Sequence, residues 1–239
     1  MNKPAPRGVW KQQMAIEYSV ISIGTLSRNL LWDESAAVRP PHATTTLVTD
    51  GDKKILVDPS LPGNILEARF NERTGGTLAD ITDVFCTTLR PVHRRGLDVL
   101  AHAKWWCGET EMETYAHYLQ ELLESAERLD AEQAAAIEAD MEIVRQFKAA
   151  PEKLTPQIHL YPLPGASIGS AGLLLAEPTS TIIIAGDAVA TAEHFARGQV
   201  WQGCADTEAA LESLQDIIEI ADVIIPGHDN IIPTAKRLI

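Results

Sequence analysis

Cysteine is scarce and poorly placed for cross-linking: Cys86, Cys107 and Cys204 are odd in number and far apart. Such a set builds neither a disulfide framework nor a zinc knuckle, and it predicts buried thiols in a reducing compartment. Basic charge is also short. Lys and Arg number 20 against 33 Asp and Glu, a net charge of −13. That argues against general affinity for nucleic acid, which depends on cations neutralising phosphates. No apolar run approaches the ~20 residues of a membrane-spanning helix, and the opening Met1 to Arg7 has no hydrophobic stretch behind it like that of a secretory leader. Internal repeats, low-complexity tracts and a glycine loop with phosphate-cradle spacing are absent too. The expectation is a cytoplasmic protein of ordinary globular composition, 45% hydrophobic and 22% charged. At 239 residues it should form one domain over 15–239, with 1–14 a flexible lead-in.

What is present is a set of apolar strands that end in polar residues. Asp83–Phe85 opens a β-branched and aromatic run that enters the loop Thr87-Thr88-Leu89-Arg90-Pro91-Val92-His93. Thr181–Ala185 runs into Gly186-Asp187, and Val223–Ile225 runs into Pro226-Gly227-His228. Loops at the carboxyl ends of strands are where α/β proteins place their chemistry, so His93, Asp187 and His228 are candidate partners. Alone, each has a plainer reading: aspartate commonly caps helices and histidine commonly fills turns. The basic residues Arg90, His93, Arg94 and Arg95 read as a pocket rim or a solvated turn.

Around these runs, Ile16–Ile23 alternates as a strand. Thr44–Val48 and Lys54–Asp58 flank an Asp-Gly signal and should form a hairpin. Gly63–Arg73 predicts a helix that packs through Ile65, Leu66 and Phe70. A short helix over Gly96–Leu100 follows, then a strand over Ala103–Cys107 whose Trp105 and Trp106 read as core. Residues 110–148 read as two inserted helices broken at Leu129-Asp130, the first with Met112, Tyr115, Leu119, Leu122 and Leu123 on one face, the second with Ala134, Ile137, Met141, Ile143, Val144 and Phe147. Stripes this wide predict a position at the pocket mouth or in a dimer contact. Strands are expected over Ile158–Tyr161 and Ser170–Ala176, and a final helix over Asp206–Ile220, with Ala209, Leu211, Leu214, Ile217 and Ile218 inward. The long connection Gly24–His42 has a length usual for functional or disordered loops, and His42 reads as a surface residue.

In order and spacing, these places resemble the metallo-β-lactamase-like hydrolase family, from about Thr44 onward. The resemblance implies a four-layer αββα sandwich with a helical insertion. The family's Thr-His-x-His-x-Asp-His signature falls on Thr87 to His93, where only the first threonine and last histidine survive. A further family histidine falls on Ala166. One metal position, at Thr88, Arg90 and Ala166, is therefore expected to be lost; the other lacks a ligand where Val92 stands but keeps His93, Asp187 and His228, with Asp58 bracing the ligands from behind. At most one divalent ion (zinc, iron or manganese) is expected, held weakly or not at all.

Two readings of function stand side by side. In one, His93, Asp187 and His228 hold an ion that activates water against an ester, thioester, lactone or amide, with Asp187 and Arg90 as catalytic groups. In the other, the chain is a non-catalytic member that binds a small molecule, regulates or dimerises. Metal-free acid-base chemistry by His93 or His228, with Arg90 as electrophile, is a third. The expected partners are a small molecule and, through the helices, a second copy, with neither nucleic acid nor membrane. Arg90 is expected to face Asp187 in a forked pair, filling the place of the lost ion.

Overall fold

The computed structural model describes residues 15–125 and 130–234; the expectations for 1–14 and for Leu129 fall outside them. The first sheet begins with β1 (Glu17–Ser22), β2 (Thr45–Asp50) and β3 (Lys53–Val57), all antiparallel. Gly51 sits at φ +59, the left-handed backbone that the two-residue turn closing β2 on β3 demands. Parallel strands β4 (Asp83–Phe85), β5 (Lys104–Cys107) and β6 (Lys148–Ala149) extend it. The second sheet has the order β11-β10-β9-β8-β7, with β7 (Ile158–Pro162), β8 (Ala171–Glu177), β9 (Ser180–Gly186), β10 (Val223–Pro226) and β11 (Ile232–Pro233).

Strand alternation turns two sheets into four layers. Ile55, Val57, Phe85, Ile182, Ile184 and Ile225 point between the sheets. Their neighbours Leu56 and Val84 point out, onto α1 (Gly63–Thr74), α2 (Glu109–Glu124) and α3 (Ala131–Val144). On the opposite side Ile183, Ala185 and Ile224 meet α5 (Thr207–Ile220), with α4 (Ala192–Arg197) following β9. The αββα sandwich is therefore present. No helix among the described residues is long and apolar enough to cross a membrane.

Several local expectations need correction. The segment after His93 forms only a 3-10 turn, Leu97–Leu100. The second inserted helix stops at Val144; Phe147 follows it but is still buried against Trp105. Ile65, Leu211 and Ile218 are exposed, because Leu66 and Phe70 on α1, and Ala210, Leu214 and Ile217 on α5, already fill the 100°-wide contact face. Cys86 and Cys107 are buried, but Cys204 is only partly so.

Trp106 is half-buried between the sheets and donates its indole N–H to Asp83 at 2.8 Å. Asp83 also accepts from Lys53 at 2.9 Å and from Thr82 at 2.6 Å. Burial opposes the charge of Asp83, but these three donors outweigh it and hold the carboxyl below its usual range. A depressed carboxyl contributes stability above its unfolded pKa, and this is lost as pH falls through the folded value. Asp83→Ala should therefore cost about 2 kcal/mol in urea unfolding at pH 7, and the gap should shrink below about pH 4. A gap that stays constant with pH would contradict this.

Candidate metal centre

The carboxyl ends of β3, β4, β9 and β10 meet at one edge of the sandwich. Asp58, just past β3, sits at φ +48, a left-handed conformation that aspartate tolerates better than most residues. This turns its carboxylate under the loop after β4, where Oδ1 accepts from the Thr87 amide at 2.8 Å and Oδ2 from the Thr87 hydroxyl at 2.7 Å. Oδ2 also lies 3.1 Å from His93 Nδ1. His93 ends a 3-10 turn, Pro91–His93, and is fully buried. Gly186 and Gly227 let the ends of β9 and β10 close up: a Cβ on Gly186 would lie 2.4 Å from Thr87 Oγ1, and one on Gly227 2.8 Å from Asp187 Oδ1. They deliver Asp187 and His228, both buried.

Asp187 Oδ1 lies 3.2 Å from His93 Nε2 and 3.0 Å from His228 Nε2. Yet neither Oδ1 nor His93 Nε2 has an aligned hydrogen-bond partner among the described residues, although both are buried. Hydrogen bonding therefore does not account for their close approach. The outer nitrogens are anchored, His93 Nδ1 at Asp58 and His228 Nδ1 at the His42 carbonyl, 2.9 Å away. An Nδ1–H donated outward leaves a lone pair on Nε2, the form in which imidazole binds metal. The three ligand atoms lie within 4.8 Å of one another. They fit one divalent ion. Burial works against charge on His93, but Asp187 and Asp58 on either side outweigh it and push its pKa up to about 10. Burial likewise opposes the Asp187 charge, and His93 and His228 hold its pKa well below the usual range. The same atoms can thus carry protons or an ion.

Arg90 points inward. Nη1 donates to Asp187 Oδ2 at 3.1 Å, while Nη2 donates to the carbonyls of Ala166 and of Gly203, the latter at 3.2 Å. The expected fork onto Asp187 is therefore divided, because the Ala166 and Gly203 carbonyls capture the second nitrogen. The guanidinium also lies over the Trp201 ring, 5.0 Å from its centre. The Thr88 hydroxyl donates to buried Glu111 at 2.6 Å, and Ser167 donates to the same carboxylate at 2.7 Å. Val92 lines the cavity beside His228, and buried Ala166 offers only its carbonyl. Arg94 is neither rim nor solvated turn; it is buried and paired with Asp140 of α3.

Two cavities share Arg90. One, about 270 Å³, is lined by Arg28, Asp187, Trp201 and His228. The other, about 400 Å³, is walled by Glu111, Tyr115 and Tyr118 of α2 with Ile168. Sequence reasoning missed Glu111, Trp201 and the His42 carbonyl. Glu111 stands among the alternating acids Glu109, Glu111 and Glu113, all of which suit a helix start, so nothing local singles it out.

The chain matches the profile of the metallo-beta-lactamase superfamily over residues 38–228. No curated protein sequence matches it significantly. Among solved structures, AidC, a dizinc quorum-quenching lactonase, is 16% identical, with 82% of this chain and 80% of that one covered and a TM-score of 0.63. An N-acyl homoserine lactone hydrolase, with N-hexanoyl-L-homoserine at its catalytic metal centre, is 19% identical over 91% and 94% of the two chains, TM-score 0.61. A metallo-beta-lactamase-like protein of Thermotoga maritima is 15% identical over 92% and 100%, TM-score 0.68. At these identities the likeness carries the fold alone. With the profile spanning most of its length and the four-layer sandwich in place, this chain belongs to the metallo-β-lactamase superfamily.

Proposed function

We propose that the protein is a single-ion hydrolase of a lactone or related ester, with Arg90 standing where a second ion would act. The observation that supports this most directly is the convergence of His93 Nε2, Asp187 Oδ1 and His228 Nε2 without hydrogen bonds among them. When bound, an ion there supplies Lewis acidity and a nucleophile at neutral pH. Asp58 and the His42 carbonyl hold the two imidazoles in their ligating form. Asp187 divides its oxygens, Oδ1 toward the histidines and Oδ2 toward Arg90. Arg90, fixed by two carbonyls and a tryptophan face, has the rigidity needed to orient a carbonyl and stabilise the charge that develops on it.

A second reading draws on the same arginine. A fixed cation on Asp187 repels a divalent ion, and this favours weak loading and a site that binds without turnover. Elemental analysis, with a lactone and ester panel assayed after loading with zinc or manganese, separates the two. The hydrolytic reading expects about one equivalent of metal that chelator removes, together with turnover that disappears with it. Binding of lactones without turnover by the loaded protein would leave the second reading standing.

A further inference from the structure

We infer that the 270 Å³ cavity beside His228 recognises a carboxylate-bearing small molecule, its oxyanion held between Arg28 and Arg90. The inference rests on the proposed hydrolytic site in that it names the charge of the substrate; binding itself does not require turnover. In a protein of net charge −13, this cavity is lined by two arginines and His228 against one carboxylate, Asp187. That carboxylate is already engaged, 3.1 Å from Arg90, 3.2 Å from His93 and 3.0 Å from His228. The local sign of charge is inverted relative to the whole molecule, and the concave walls keep it from being screened as it would be on an open surface.

Both arginines have donors to spare. A guanidinium carries five N–H groups, and Arg90 commits three of them, to Asp187, Ala166 and Gly203, which leaves two. Arg28, half-buried in the long connection Gly24–His42, makes one bond, to the Ser35 carbonyl at 3.2 Å, and has no carboxylate partner among the described residues. Glu34, the nearby acid on that connection, is taken up by Arg39 and by the Asn29 amide. The planar fork of arginine matches a carboxylate, and Trp201 holds Arg90 in place from its open face.

The neighbouring cavity gives the rest of the ligand its chemistry. It shares Arg90 and presents Tyr115, Tyr118 and Ile168, of which Tyr118 and Ile168 are each 51% exposed. An apolar or aromatic body fits that wall while the carboxylate stays with the arginines. An isolated phosphate would leave the aromatic wall unused.

Calorimetric titration of chelator-treated protein with benzoate, benzamide and inorganic phosphate tests this. Benzoate should bind at least about tenfold more tightly than benzamide and more tightly than phosphate, and Arg28→Gln should weaken benzoate by about tenfold while Arg28→Lys, which keeps the charge but not the planar fork, should fall between the two. Unchanged melting temperatures would show that both variants fold. Equal affinity for benzoate and benzamide, phosphate binding as tightly as benzoate, or Arg28→Gln indistinguishable from wild type would each overturn the inference. Protein that prefers benzoate yet hydrolyses no lactone when metal-loaded fails only the hydrolytic reading. Protein that hydrolyses neutral esters and ignores the charge of the benzoate pair fails only this one.

Discussion

Arg90→His should raise the affinity for a divalent ion by about tenfold to a hundredfold, measured by competition with a chromophoric chelator. The argument is electrostatic. The guanidinium sits 3.1 Å from Asp187 Oδ2, on the same carboxylate whose Oδ1 faces both imidazoles. It draws negative charge away from the ligand side and places a fixed positive charge a few ångströms from any ion held there. A neutral imidazole removes both effects. Arg90→Lys keeps the charge and should leave affinity low, so equal affinities for the histidine and lysine variants would refute the account. The effect on stability is modest. Arg90→Ala does not strand Asp187, because His93 and His228 remain beside it. Its cost of about 1–2 kcal/mol comes from the Ala166 and Gly203 carbonyls and the freed Oδ2.

Asp58→Ala should be the most damaging single change at the site, costing about 3–5 kcal/mol in urea unfolding. The Asp58 carboxylate accepts from the Thr87 amide and hydroxyl and faces His93 Nδ1, all of them buried. Truncation orphans these groups together and asks alanine to hold φ +48, which aspartate tolerates better. Asp58→Asn keeps the shape and the left-handed preference, so it should fold with a loss of about 1–2 kcal/mol. Its amide, however, offers a donor toward His93 Nδ1, which favours a proton on Nε2 and should abolish ion binding. An Asp58→Ala protein within about 1 kcal/mol of wild type would sink the claim that this carboxylate braces the loop.

The sequence by itself determined the sheets and the three converging side chains. Runs such as Ile182–Ala185 and Val223–Ile225 are apolar on both faces, which only strands buried between two layers require. Asp187 and His228 follow those strands directly, so their placement at one edge is a local consequence of strand direction. Arg90 turns inward as well, but not by strand alternation: its loop is not extended, and Thr88 two residues before it faces Glu111. Only the tertiary structure decided what surrounds them. The partners that matter are far apart in the chain: Thr88 and Glu111 by 23 residues, Arg90 and Gly203 by 113, His228 and the His42 carbonyl by 186. A backbone carbonyl carries no residue signature, and one glutamate among several at a helix start looks like the others. Which of them closes the site depends on how two sheets and their covering helices pack, and that is set by the summed burial of the whole core, which no short stretch encodes.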